Sequence, residues 1–323
     1  MRHRCRRILR KYCGVLRNSL TRRNKRLESG IKRRRRARER KTMGLFDGVL
    51  IASDIDMTFL SSQGQVLARN AESIRAFCAD GGRFCFATGR THCSLEQLIP
   101  GIGALANTPC ILSNGSYVCD LRTDKIENEI ALDPAAALPF FTRIAALFPQ
   151  VGFRISIGDE FYVPIETERM QSELGLYRGH LHPVPLTKVP PQGWNKVVFH
   201  GTPEQLLAVR AAMEEDEHVG AFAIMHSSPV LLEVLARGAS KGVQLRYLKE
   251  KYSRCGIPIT TYGIGDYEND LPLLLAADVA VCPANAQQCV KEKSALCVCS
   301  NDDGAIADLI GRITKQRRKE KNA

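Results

Sequence analysis

The sequence predicts an α/β protein with a parallel sheet at its centre and a second, smaller α/β domain inserted into the chain. Three observations carry this expectation. Apolar runs of strand length recur, Val49 to Ile55 and Arg83 to Ala87 among them, and the first opens on four apolar residues without alternation, as a strand buried on both faces of a parallel sheet should. A helical pattern over Asn70 to Ala79 separates these two runs, which is the order of a right-handed parallel crossover. Between about Asp120 and Pro229 the chain carries strand patterns of its own, at Gly152 to Ile157, Lys196 to His200 and Ala221 to Met225. Helical patterns at Ala135 to Leu147 and Pro203 to Glu214 accompany them, enough for a domain with a separate core.

The first strand leads into Asp54-Ile55-Asp56-Met57-Thr58, two carboxylates and a hydroxyl at the end of an apolar run. Catalytic groups collect beyond the carboxyl ends of parallel strands. If the strand continues through Ile55, Asp54 and Asp56 point the same way, roughly 6 to 7 Å apart. Carboxylates that close repel unless a cation sits beside them, and Mg²⁺ suits carboxylates, waters and phosphate oxygens together. An Asp-x-Asp alone is more often a solvated turn, so the later segments matter. The second strand ends in Thr88-Gly89-Arg90, groups able to hold a phosphate through backbone donors and side chains. Gly238-Ala239-Ser240-Lys241-Gly242 places a lysine where a helical pattern through Val243, Leu245 and Leu248 begins. A third strand from Thr261 ends in an acidic loop with Asp266, Asn269 and Asp270, and Leu271 to Ala277 then reads as helix. Those side chains can complete a metal and phosphate site, or Asp266 or Asn269 can simply cap the helix.

In this order the four segments resemble the four signature motifs of the haloacid dehalogenase superfamily of phosphohydrolases. The long gap after Ile111-Leu112-Ser113-Asn114-Gly115 resembles its Cof-type branch, subfamily IIB, which carries a large C2-type cap after the third core strand. Leu231-Leu232-Glu233-Val234 ahead of Lys241, and Asn285-Ala286 after Val281, fit the same branch. The resemblance runs from about Leu45 to about Ile313. It implies a Rossmann-like core over 43–119 and 230–313, a cap over 120–229 that closes on the active site, and flanking basic tails at 1–42 and 314–323. It further implies Mg²⁺-dependent hydrolysis of a small phosphomonoester, such as a sugar phosphate, through an aspartyl phosphate. By resemblance Asp54 is the nucleophile, and Mg²⁺ binds Asp54, the backbone carbonyl of Asp56, and Asp266. Asp56 is then the general acid and base, while Thr88, Gly89, Lys241 and Asn269 hold the phosphoryl oxygens, with Thr58, Asp270 and Arg90 in support. In the cap Arg154 and Arg169 are candidates for touching substrate, although a solvated surface arginine is the simpler reading of each. One residue departs from the pattern: Met57 stands where the family has glycine, at a cost of about 1–2 kcal/mol if the backbone there is left-handed. A phosphotransferase or mutase of the same superfamily is the nearest alternative, differing in whether water reaches the aspartyl phosphate.

Charge divides the chain unevenly. The first 42 residues hold 19 Lys or Arg against Glu28 and Glu39, a surplus of 17, so the other 281 residues of a chain at +12 sum to −5. The basic run points to nucleic acid or an anionic membrane. A segment so charged does not fold alone, however, and Met43 stands where the compact domain begins. We therefore expect a disordered tail or an upstream start. A noncatalytic module that binds nucleic acid through the tail is the second alternative, and within the domain Met57 is the only feature that favours it. No apolar stretch approaches the roughly 20 residues of a membrane span, and none near the start has the length of a secretory signal. The 12 cysteines contain no Cys-x-x-Cys, only Cys297-x-Cys299. Cys85, Cys110 and Cys282 lie in apolar runs and read as core residues of a reducing compartment, so a cytoplasmic enzyme is expected. His180 and His182, on a polar loop, read as solvated. Nothing in the sequence sets the oligomeric state.

Overall fold

The computed structural model describes residues 44–175, 179–254, 256 and 258–322. The basic segment 1–42 lies outside the described residues. The chain then runs β1 (Val49–Ser53), α1 (Ala68–Ala79), β2 (Arg83–Phe86), α2 (His92–Leu98), β3 (Cys110–Leu112), β4 (Tyr117–Asp120) and β5 (Lys125–Glu127). The inserted domain supplies α3 (Pro134–Leu147), β6 (Gly152–Ile157), β7 (Glu160–Ile165), α4 (Glu168–Leu174), β8 (Leu181–His182), β9 (Lys196–His200), α5 (Pro203–Glu214), β10 (Phe222–Ser228) and β11 (Leu231–Ala236). The chain returns with α6 (Lys241–Ser253), β12 (Thr260–Ile264), α7 (Leu271–Ala276), β13 (Val279–Pro283), α8 (Gln288–Lys291), β14 (Leu296–Val298) and α9 (Ala305–Asn322).

Five strands form a parallel sheet in the order β14-β13-β12-β1-β2, and a parallel bridge from Ala87 to Ile111 brings β3 against β2. Central β1 is buried at every position, which is why its sequence is apolar without alternation until Ser53. It pairs with β12 on one side and β2 on the other, so the loops leaving these three strands meet at one edge of the sheet. The start of α6 is drawn to the same edge. Ser240 caps it by accepting from the Val243 amide, and Gly115, at φ 96°, lets the turn after β3 approach so closely that a Cβ there would lie 2.1 Å from the Ser240 carbonyl carbon.

The inserted sheet runs β10-β11-β9-β6-β7-β8, antiparallel except where β7 meets β8. Its core is separate: α3 buries Phe140, Phe141 and Ile144, and the Phe141 ring lies 6.0 Å from Trp194 and 6.1 Å from Phe199. The structure moves both boundaries of this domain. β11 pairs with β9 and β10, so the insertion extends through Ala236 instead of stopping at 229. The β4–β5 hairpin belongs with the parallel sheet, because β4 pairs with β3 and Tyr117, Val118, Cys119 and Leu121 pack into that core. The basic residues 314–322 are the last turns of α9, whose Ile306, Leu309, Ile310 and Ile313 are buried. Cys85, Cys110 and Cys282 are buried, and each of the nine described cysteines is a free thiol. His180 and His182 share the Glu160 carboxylate, at 3.2 and 2.5 Å, with side chains 36% and 42% exposed. No helix among the described residues is long and apolar enough to cross a membrane.

Candidate active site

Strand β1 ends one residue before Asp54, and this changes the expected geometry of the first motif. The Asp54 amide still donates to the Ile264 carbonyl at 2.9 Å, but the chain then turns sharply, with the Ile55 carbonyl accepting from Phe59 and Leu60 at 3.0 and 2.9 Å. Asp54 and Asp56 are therefore not successive residues on one strand face. Asp54 is buried at the floor of the site, whereas the Asp56 side chain is 51% exposed and pairs with Arg90, Nε to Oδ2 at 2.9 Å and Nη2 to Oδ1 at 2.8 Å. This bidentate contact fixes the Asp56 carboxylate at the rim.

Behind Asp54 lies Lys241, with no exposed side-chain surface. Its Nζ donates to Asp54 Oδ1 at 2.7 Å and to Asp270 Oδ1 at 2.6 Å. Asp270 Oδ2 accepts from the amides of Asp266 and Tyr267, at 2.9 and 3.2 Å, so both its oxygens are committed to holding the loop. Capping of this turn thus falls to Asp270 instead of Asp266 or Asn269. Thr58 donates to Asp266 Oδ1 at 2.7 Å and orients that carboxylate. Ligand oxygens of Asp54, Asp266 and Asp270 lie within 4.8 Å of one another. With one ammonium among three buried carboxylates, the cluster is short of positive charge. Burial, then Asp270, push the Asp54 carboxyl well above the ordinary aspartate value against the pull of Lys241. Burial pushes Asp266 up to about 6, opposed by the Thr58 hydroxyl. Burial works against the Lys241 ammonium, but Asp270 and Asp54 outweigh it and hold the lysine well above its usual range. Asp54 and Asp266, each with a second oxygen to offer, are the pair that can hold a divalent cation.

The second motif stands opposite. Buried Thr88 is held by its amide on the Ile111 carbonyl at 2.9 Å, and its Oγ1 accepts from the Arg90 amide at 3.2 Å. Asn114, left-handed at φ 53°, donates its amide to the Thr88 carbonyl at 2.9 Å and accepts from Asn269 Nδ2 at 3.2 Å on Oδ1. A cavity of about 360 Å³ is bounded by Asp54, Asp56, Thr88, Asp266 and Asn269 from the parallel-sheet domain. Arg154, Phe161, Lys196, Leu231 and Glu233 bound it from the inserted sheet. Of the residues expected here, Asp54, Asp56, Thr88, Gly89, Arg90, Asp266 and Asn269 line this space, while Thr58, Lys241 and Asp270 brace it from behind. Arg154 is not a surface residue: it is 4% exposed, donates to Ser156 Oγ at 3.2 Å, and lies over the Phe161 ring at 5.2 Å. Arg169 is exposed, as expected. Lys196, Glu233 and the side chain of Asn114 were not expected at the site. A charge set inside an apolar strand run, as Glu233 is within Leu231 to Ala236, was the available signal, because a buried charge needs a partner.

Met57 also lines the cavity and adopts φ 59°, the left-handed conformation that glycine would adopt without strain. Its side chain is 43% exposed, so few packing contacts offset the strain. Met57→Gly is expected to raise the free energy of unfolding by about 0.5–1 kcal/mol, relief of about 1–2 less the greater entropy of glycine in the unfolded chain. Urea unfolding measures this directly, and an unchanged or lower midpoint would mean that the methionine contacts outweigh the strain.

Residues 51–310 match the model of a family described as haloacid dehalogenase-like hydrolase. The chain is similar to the phosphatase YwpJ of Bacillus subtilis, with 26% identity over 82% of this chain and 99% of that one. It is also similar to the 5-amino-6-(5-phospho-D-ribitylamino)uracil phosphatase YwtE of the same organism, with 25% identity over 81% and 97%. Among solved structures, a haloacid dehalogenase-like hydrolase from Bacteroides thetaiotaomicron aligns with a TM-score of 0.70 and 22% identity, over 83% of this chain and 99% of that one. A sugar phosphatase of subclass IIB aligns with a TM-score of 0.68 and 18% identity, over 81% and 98%.

Proposed function

The chain belongs to the haloacid dehalogenase-like hydrolase family and is a phosphoric monoester hydrolase, and from that premise we propose that it cleaves small phosphomonoesters by nucleophilic attack of Asp54. The observation that carries the reading is the position of Asp54: buried, held by Lys241 at 2.7 Å, and opening onto a cavity whose other wall is Thr88 and Asn269. Lys241 keeps the attacking carboxylate oriented and compensates its charge. An ammonium has three donors, and after Asp54 and Asp270 the third would serve a phosphoryl oxygen only once the group attached to Asp54 reaches behind that carboxylate. Thr88, the Gly89 backbone and Asn269 would take the remaining phosphoryl oxygens, over which charge spreads in the transition state. Asp56, at the rim beside the leaving oxygen, would give that oxygen its proton and then take one from the water that opens the aspartyl phosphate. Arg90 would hold Asp56 in place for both steps.

Mg²⁺ fits the hard carboxylate oxygens of Asp54 and Asp266 in a cluster short of positive charge, with the Asp56 carbonyl the third donor that the family resemblance implies, and when bound it would neutralise charge at the phosphoryl group. The cavity volume of about 360 Å³ lies near the lower end of ligand sites, which run from ~300 to ~1,000 Å³, and this supports a small metabolite such as a sugar phosphate. The names of the relatives support the same class. The free thiols of the nine described cysteines support a cytoplasmic setting.

The test is phosphate release from sugar phosphates, nucleotides, pyridoxal phosphate and flavin mononucleotide, with Mg²⁺ or EDTA, beside Asp54→Asn. Turnover that needs both the metal and Asp54 is expected; turnover indifferent to either sinks the mechanism. Metal binding has its own readout. Because folding raises the Asp266 carboxyl from 3.8 to about 6, the folded chain binds that proton more tightly than the unfolded chain. Without metal, this group makes the protein lose stability as pH rises from about 4 to about 6. Mg²⁺ competes with the proton, so its increase in Tm should be larger at pH 7.5 than at pH 5.5. An equal increase at both values would place the ion elsewhere.

A further inference from the structure

The two halves of the phosphoryl cradle come from different parts of the core, Thr88-Gly89 after β2 and Asn269 after β12, and what ties them together comes from the inserted sheet. Lys196 of β9 reaches across and donates its Nζ to the Gly89 carbonyl at 2.8 Å. The same Nζ pairs with Glu233 of β11 at 3.1 Å. Glu233 Oε2 accepts from Asn114 Nδ2 at 2.5 Å, and Asn114 Oδ1 accepts from Asn269 at 3.2 Å. The Asn114 amide closes the circuit on the Thr88 carbonyl at 2.9 Å. Lys196, Glu233 and Asn114 are respectively 3%, 4% and 1% exposed. Burial opposes the Glu233 carboxylate, yet Lys196 beside it, with Arg154 adding to the effect, holds its proton affinity below the ordinary range.

We propose that Lys196 and Glu233 are positioning residues for phosphoryl transfer: acting through Gly89 and Asn114, they set the spacing of the two sides of the cradle and make it depend on how the inserted domain is seated. The inference rests on the hydrolase reading above and deepens it. A chain built only to bury a charge pair would have no reason to spend that pair on a carbonyl of the phosphate loop and on the amide that holds Asn269. Displacement of reacting groups by about 1 Å can cost of the order of 100-fold in rate, so a loosened cradle has a measurable signature even when every group contacting substrate is retained.

The experiment compares Lys196→Met, Glu233→Leu and the double variant in the full chain. Three quantities are read: Tm, affinity for inorganic phosphate with Mg²⁺ by calorimetry, and kcat and KM for p-nitrophenyl phosphate. Each single variant strands a buried charge and is expected to lower Tm. The double variant removes both charges but leaves the buried Arg154, whose guanidinium also faces Glu233, so it should recover part of the Tm. If the pair positions the cradle, the double variant still binds phosphate about tenfold or more weaker than wild type, and its kcat stays about 10 to 100-fold lower. Recovery of phosphate affinity together with Tm would overturn the proposal, since the pair would then be structural only. It also fails if Glu233→Leu leaves phosphate affinity and kcat at wild-type values, because Lys196 would then act alone. Phosphate binding is measured without turnover, so this outcome is separate from that of Asp54→Asn, which tests the hydrolase reading.

Discussion

Asp54→Asn is expected to lower kcat by about 10³-fold or more while leaving the protein at least as stable as wild type at pH 7.5 without divalent ions. The first half follows from the proposed role of Asp54 as nucleophile, since removing the charge of an attacking oxygen is a loss that other groups in a site do not replace. The second half follows from the surroundings. Asp54 is buried beside Asp270 and Asp266, and its carboxyl is pushed well above the usual range by burial first and by Asp270 next. A carboxyl raised on folding withdraws stability as pH climbs above its ordinary value of 3.8. Asparagine removes that penalty and keeps an oxygen able to accept from Lys241. Activity and thermal unfolding measured on one preparation decide the matter. A fully active variant would remove Asp54 from the chemistry, and a variant that is inactive because it is unfolded would show that the aspartate stabilises the core.

Lys241→Met should do the reverse to stability. The ammonium is completely buried between Asp54 and Asp270, and methionine, unbranched and one atom shorter, keeps most of the side chain without its charge. Two carboxylates are then left facing each other with no cation, and breaking a buried pair in this way costs about 3–5 kcal/mol. Turnover should vanish as well. The destabilisation should be smaller at pH 5 than at pH 8, because the stranded carboxyls can take up a proton at the lower value. Urea midpoints at the two pH values check both the size and the sign; a loss under about 1 kcal/mol at pH 8 would mean that Asp54 and Asp270 do not share a charge with Lys241.

The parallel sheet was legible because β1 is apolar up to Ser53, and because α1 places Ala71, Ile74 and Phe77 on one buried face. The acidic residues were legible because each stands where an apolar strand ends. What sequence did not convey were consequences of turning and pairing. The turn at Ile55 separates Asp54 from Asp56, and no local pattern distinguishes it from one more strand residue. β11 was placed on the wrong side of the boundary because strand membership depends on a partner: its ladder with β9 joins residues more than 30 positions apart. Arg154 was misjudged for the same reason, since a lone arginine in a strand of the insertion gives no sign of Phe161 beneath it.

The two crossings between the domains lie side by side. Ile130, on the way out, packs with Leu235, Ala236 and Ala239 on the way back, and its amide donates to the Ser116 carbonyl at 2.6 Å. A domain that leaves and returns at one doorway leaves the carboxylates of the host sheet on a separate stretch of chain, so an exchange of the inserted domain need not disturb them. The exchange has a rule, though. Lys196 and Glu233 travel with the graft while Gly89 and Asn114 stay behind, so only a replacement that brings its own lysine and glutamate to those places would arrive with the phosphate loop already in hand.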